Sequence, residues 1–134
     1  MATGKSETLP LRSDEDIVRS RQLVRQWAVE LSFSLVEQTK VITAASEIAR
    51  NTVLHGGGGV MQVEALTDGA RRGLRLTFQD KGPGIPDLGQ AMKDGFTTAG
   101  GLGLGLGGAK RLSNEFSVES RVGEGTRVVL ARWR

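Results

Sequence analysis

The 134-residue sequence predicts an α+β two-layer sandwich, with helices on one face of a mixed, mostly antiparallel sheet. Three features lead there. Two early segments carry apolar residues at three- and four-residue spacing, later segments alternate apolar and polar residues, and short Gly-containing connections close the alternating segments into hairpins. The length fits one domain over 1–134, because two ordinary cores need a longer chain.

Thr8 to Arg12 is a short apolar run bearing Pro10 and reads as an edge strand or an extended lead-in, with residues 1–7 expected to be disordered. Ser13 and Asp14 then offer N-cap oxygens, and Ile17, Val24, Trp27 and Leu31 mark an amphipathic helix over 14–31. A second helix, Leu35 to Leu54, turns Ile42, Ala45, Ile48, Ala49, Thr52 and Val53 inward and stops at His55-Gly56. From Gly59 the period becomes two. Met61, Val63 and Ala65 oppose Val60, Gln62 and Glu64, while Leu74, Leu76 and Phe78 alternate with Arg75, Thr77 and Gln79; Asp68-Gly69 joins the two strands. A short helix is expected near 87–93, and another from the glycine cluster through about Asn114. Phe116–Arg121 and Thr126–Trp133 form a closing hairpin.

Composition excludes several functions. There is no cysteine and one histidine, so a disulfide framework, a thiolate metal site and a zinc centre are not expected. The N-terminal segment is polar, and no stretch approaches the roughly 20 apolar residues of a membrane span, so a cytoplasmic protein without a membrane partner is expected. The net charge of +3 is dispersed among acidic residues rather than gathered in a stripe, which argues against nucleic acid. Glycine is the unusual component: most of the 19 fall in 56–59 and 100–108.

Glu47 and Asn51 share one helix face, with β-carbons about 5–6 Å apart, where they either hold a hydrated Mg²⁺ or line a solvated surface. Asp80-Lys-Gly82-Pro-Gly84 follows a strand directly. Its carboxylate could accept from an exocyclic amine such as that of adenine, or cap an ordinary turn. Gly103, Gly105 and Gly108 form a G-x-G-x-x-G match, but no hydrophobic strand precedes them and antiparallel hairpins surround them, so a dinucleotide fold is rejected. Glycines entering a helix N-terminus can still bind polyphosphate, and leucine alternating with glycine is unlike a flexible linker.

Glu47-x-x-x-Asn51, Asp80-x-Gly82-x-Gly84, Gly101-Leu-Gly-Leu-Gly105 and Gly125-Thr126, in that order, resemble the motifs of the GHKL ATPases and kinases, which share the Bergerat ATP-binding fold. The likeness covers about residues 8 to 133, and Ala91-Met-Lys-Asp-Gly-Phe-Thr-Thr-Ala resembles the small stressosome switch kinases more than the anti-sigma factors. The resemblance implies ATP and Mg²⁺ as cofactors. It makes Glu47 the catalytic base or water-orienting carboxylate and Asn51 the metal ligand. Asp80 becomes the acceptor for the adenine amine, Gly82 and Gly84 the close approach to the base, and Thr126 the support of the adenine end. Gly101, Leu102, Gly103, Leu104 and Gly105 become the phosphate lid, with Thr97 and Thr98 as further lid residues. It implies a serine/threonine kinase that phosphorylates a STAS-domain antagonist and then binds a second partner such as a PP2C-type phosphatase. The alternative is an anti-sigma factor that sequesters a sigma factor with ATP, and the oligomeric state is left open. His55 reads as a cap or packing residue, Lys110 as solvated, and Arg50 and Arg111 as facing a partner or water.

Overall fold

The computed structural model describes residues 2–87, 92 and 105–134, with side chains described from residue 5 onward. The order is β1 (Ala2–Leu11), α1 (Asp14–Glu30), α2 (Leu35–Leu54), β2 (Gly59–Asp68), β3 (Arg71–Asp80), α3 (Leu106–Arg111), β4 (Glu115–Arg121) and β5 (Gly125–Trp133). The sheet runs β1-β2-β3-β5-β4, and every pairing among the described residues is antiparallel.

β1 occupies a sheet edge, as Pro10 requires. It begins well before Thr8, however. Residues 2–7, expected to be disordered, belong to this strand and pair with β2, with Ser6 opposite Glu64 and Glu7 opposite Val63. These residues carry no apolar run, so composition hid a segment that the neighbouring strand's free backbone groups recruit. Lys5 is fixed further by Glu30 at 3.3 Å and by the Trp27 ring at 4.9 Å.

α1 starts at Ser13, whose extended backbone makes it the N-cap although its side chain makes no capping bond. The buried Asp16 takes that role: its Oδ2 accepts from Arg12 N–H at 2.9 Å and Arg12 Nε at 3.1 Å. These bonds, the backbone one foremost, hold the Asp16 carboxyl below its ordinary value. The helix closes through Phe33 N–H to Ala28 O at 2.9 Å, with Ser32 in the left-handed region at φ 63°. α2 is properly capped, Ser34 Oγ accepting from Glu37 N–H at 3.2 Å. α3 ends at Arg111, short of the expected Asn114, because Asn114, just before β4, is bonded to β5 instead. Its N–H donates to Ala131 O at 2.9 Å, and its Oδ1 accepts from Trp133 N–H at 2.7 Å. The helix expected near 87–93 falls almost wholly outside the described residues.

Both long helices cover the sheet face that carries Leu11, Met61, Val63, Leu74, Leu76, Phe78, Val128 and Leu130, packing against them with Val24, Trp27, Val41, Ala45 and Ile48. Each such large side chain, removed from water, stabilises the fold by roughly 1.5–3 kcal/mol before entropy is counted. The opposite face keeps one small cluster, Leu66, Ala131 and Trp133. Arg71 stacks on that tryptophan at 4.3 Å, and Glu115 accepts its indole N–H at 2.9 Å.

Candidate functional site

Strand register assembles one end of the site. Gly59 pairs with Asp80, Gln79 with Arg127 and Ser120 with Thr126, so Asp80, Thr126 and Ser120 stand side by side across β3, β5 and β4. All three continue the rows that face the helices: Phe78 on β3, Val128 on β5 and Val118 on β4. A polar row thus interrupts the apolar face at one margin.

Asp80 is buried and tightly held. Its Oδ1 accepts from Gly82 N–H at 2.9 Å and from Thr126 N–H at 3.2 Å. Ser120 joins the remaining segments. Its Oγ accepts from Ile85 N–H at 2.7 Å and lies 2.9 Å from Thr126 Oγ1 and 3.2 Å from Gly125 O. Gly123 N–H donates to Pro83 O at 2.8 Å, so the β4–β5 turn is laced to the Gly82-Pro83-Gly84 loop.

Two glycines show why this loop accepts no side chain. A β-carbon at Gly82 would lie 2.5 Å from Gly56 O and 2.7 Å from Gly56 Cα, so two backbones touch there. Gly84, at φ 80°, presses on the Arg121 carbonyl and cannot carry a β-carbon without strain. His55, at the end of α2, reaches Gly84 O at 3.4 Å and ties the helix to the loop, which is the packing role expected of it.

The other end rests on α2. Asn51 is buried at 6% exposure, and its Oδ1 is the buried side-chain atom that lacks any hydrogen-bond partner among the described residues. Such an atom ordinarily costs about 1–3 kcal/mol, so its survival points to a partner outside the described residues. One turn earlier, the exposed Glu47 lies against Gly105: a β-carbon on that glycine would sit 2.5 Å from Glu47 Oε2. Gly105 caps α3 in the left-handed region, at φ 70°. α3 thereby brings the close of the glycine cluster to the carboxylate. Lys110 and Arg111 lie in the last turn of α3, at its far end from Gly105.

The structure therefore brings Glu47, Asn51 and Gly105 together at one end, and Asp80, Gly82, Gly84 and Thr126 at the other. Thr97, Thr98, Gly101, Leu102, Gly103 and Leu104 lie outside the described residues. Two contributors were missed from sequence. Gly56 fits directly under the Asp80 carboxylate, where any β-carbon would collide with it. Its signal was the unexplained run at 56–59. Ser120 was legible only as a hydroxyl on the inward side of an alternating strand, opposite Thr126.

A divalent cation and a nucleotide can be tested against this donor set. A partnerless amide oxygen beside a carboxylate suits a hard cation that retains waters and takes few protein oxygens. A carboxylate held in place by the Gly82 and Thr126 N–H groups suits an exocyclic amine. Among the described residues no cluster of three or more His, Cys, Asp or Glu could hold a metal by itself, and no helix is long and apolar enough to cross a membrane.

Residues 36–134 match the family of histidine kinase-, DNA gyrase B-, and HSP90-like ATPases. The chain is 47% identical over 123 residues to serine/threonine-protein kinase RsbT of Bacillus subtilis (strain 168), covering 92% of each. It is 31% identical over 121 residues to the anti-sigma F factor of Geobacillus kaustophilus, covering 84% of this chain and 81% of that one. Among solved structures, the RsbU and RsbW domains of a Mycobacterium tuberculosis protein superpose with a TM-score of 0.64 at 21% identity, over 98% of this chain and 33% of that one. The catalytic domain of histidine kinase ThkA superposes with a TM-score of 0.55 at 15% identity, over 94% and 95%. These last two share the fold. Taken with the four ordered motifs, the matches establish that the chain belongs to the histidine kinase-, DNA gyrase B- and HSP90-like ATPases, among the short serine/threonine kinases and anti-sigma factors of partner-switching circuits.

Proposed function

We propose that the chain is a cytoplasmic, ATP- and Mg²⁺-dependent protein serine/threonine kinase that phosphorylates a STAS-domain antagonist and then engages a second partner such as a PP2C-type phosphatase. The observation that carries the reading is Asn51 Oδ1, buried, partnerless and one helical turn from Glu47. Asn51 holds the cation through that oxygen. A cation held there would supply charge neutralisation for the transferring phosphoryl group, and in such transfers positioning and electrostatics supply most of the rate. Glu47, exposed on the same helix face, accepts the proton of the attacking serine or threonine hydroxyl. Asp80 accepts from the adenine amine, Gly82 and Gly84 admit the base to the backbone, and Thr126 closes the adenine end. Gly101, Leu102, Gly103, Leu104 and Gly105 cover the phosphates, with Thr97 and Thr98 beside them.

The test is transfer of labelled phosphate from ATP to purified STAS-domain proteins. Label should reach a serine or threonine of one of them, require Mg²⁺, and disappear with Asn51→Ala and with Asp80→Asn. Transfer that survives both substitutions would sink the site assignment. The anti-sigma F factor relatives favour a second reading, sequestration of a sigma factor with ATP bound. A stable sigma complex together with no transfer to any STAS protein would select it.

A further inference from the structure

We infer that Arg132 is a positioning residue for phosphate transfer: it fixes the far end of α3 and so seats Gly105 against Glu47. The inference rests on the reading of Glu47 as the base. By composition α3 is a weak helix. It has six residues, Leu106-Gly-Gly-Ala-Lys-Arg111, two of them glycine, and an isolated helix shorter than about 12 residues is marginal in water even with the best formers. Its geometry must therefore be imposed by its surroundings. Leu106 and Ala109, fully buried, pin one side to the core. The C-terminal end needs more, because the last carbonyls of a helix have no donors within it. Ser113 Oγ donates to Ala109 O at 2.7 Å, and Arg132 Nη1 donates to Leu112 O at 3.0 Å.

Arg132 stands where the pattern calls for a core residue. On β5 it follows Val128 and Leu130 along the inward row and pairs with Leu74, and its side chain is only 11% exposed. A guanidinium so placed needs partners for its fixed fork of donors. Besides Leu112 O it reaches Glu37, in the first turn of α2, with Nε 2.6 Å from Oε2. That bond holds the Glu37 carboxyl below its ordinary value, so the pair stays charged. The cation also complements the partial negative charge at the end of α3. α3 is thereby clamped to α2 at both ends: Leu112 through Arg132 to Glu37, and Gly105 directly against Glu47. The helix is about 9 Å long and moves as one piece, so a displacement at Leu112 is felt at Gly105. No slack exists there, since a β-carbon on Gly105 would already lie 2.5 Å from Glu47 Oε2.

Amide hydrogen exchange on the nucleotide-free chain tests the clamp, with Arg132→Met as the variant. The probe is the Ala109 N–H, which donates to Gly105 O at 2.9 Å, at the Glu47 end of α3. Its exchange should quicken by roughly 10- to 100-fold, the worth of one hydrogen bond to a charged group, while amides inside α1 keep their rates. Glu37→Ala leaves Arg132 its bond to Leu112, so it should give a smaller increase and add nothing in the Arg132→Met background. Unchanged exchange at Ala109, or an equal rise within α1, overturns the inference. Transfer of labelled phosphate from Mg²⁺-ATP to STAS-domain proteins ties the clamp to the reaction. At saturating ATP, and at a temperature where thermal unfolding shows the variant folded, Arg132→Met should lower the single-turnover rate roughly 10-fold. Arg132→Lys, with one ammonium in place of the fork, should recover part of it. A wild-type rate in Arg132→Met overturns the inference. Should that variant fail to fold, Glu37→Ala decides by the same two readouts. Glu47→Gln separates the two levels. If it abolishes transfer while Arg132→Met leaves the rate intact, only the Arg132 inference fails; if it leaves the rate intact itself, the reading of Glu47 as the base fails with it.

Discussion

The two ends of the cleft solve opposite problems. Around Asp80 the site is tied into the fold: one carboxylate oxygen takes two backbone N–H groups, Ser120 links three segments, and the Gly56 backbone closes against the carboxylate. Around Asn51 a buried amide oxygen is left without a partner and a carboxylate is exposed to solvent. The first end is therefore part of the fold's own hydrogen bonding, while the second holds polar capacity in reserve. A pocket for a base must be rigid to discriminate shape, whereas a site for phosphates and a cation needs oxygens that nothing else has claimed.

This contrast predicts a separation of stability from activity. The largest effect should be on transfer: Asn51→Ala should lower the single-turnover rate of phosphate transfer by roughly 100-fold or more, since it removes a group whose interactions are made only with the loaded site. The nucleotide should still bind when Mg²⁺ is absent, which calorimetry with EDTA would check. Full Mg²⁺ dependence of binding in that variant would erase the distinction between the ends.

Next come effects on folding. Asp80→Ala strands the N–H groups of Gly82 and Thr126 and should cost about 2–4 kcal/mol in urea unfolding. Asn51→Leu, by contrast, replaces an unsatisfied amide with a group of similar size and should leave stability within about 1 kcal/mol of wild type or raise it, while transfer is lost. Equal destabilisation by the two would mean that the ends do not differ as described.

Acid should act on two ion-paired carboxylates elsewhere in the fold. Arg12 holds Asp16 below its ordinary 3.8, and Arg132, at 2.6 Å, holds Glu37 below its ordinary 4.5. Groups depressed in the folded state stabilise it above their unfolded values, and that contribution is lost as pH falls through the folded ones. The melting temperature should drop as pH falls below about 4.5. The drop should be shallower in Asp16→Asn.

The smallest effect concerns a position remote from both ends. Ser32 closes α1 in the left-handed region at φ 63°, so Ser32→Gly should stabilise by up to about 1 kcal/mol without altering nucleotide affinity. A changed affinity would show that the α1–α2 connection reaches the cleft.

Much of this was legible along the chain. The bounds of α2, the two hairpins and the inward rows of β2, β3 and β5 followed from periodicity, because a packed sheet and an amphipathic helix enforce period 2 and period 3.6 on every core residue. Spacing put Glu47 and Asn51 on one helix face and Asp80 at a strand end, but only the resemblance of the ordered motifs gave them roles. The early start of β1 was not legible, since polar residues enter a strand when a neighbour offers unpaired backbone. Nor was the end of α3, which bonds from Asn114 to β5 decide.

By itself, then, the sequence determined which elements form and which motifs they carry, because those are properties of local spacing and of residue type. Only the tertiary structure decided that Asn51 Oδ1 goes unpaired among the described residues, that Gly56 lies under Asp80 and that Ser120 stands beside Thr126. Each of these depends on where groups distant along the chain arrive in space. Satisfaction of a hydrogen bond is a fact about both partners, and no single segment of the sequence contains both.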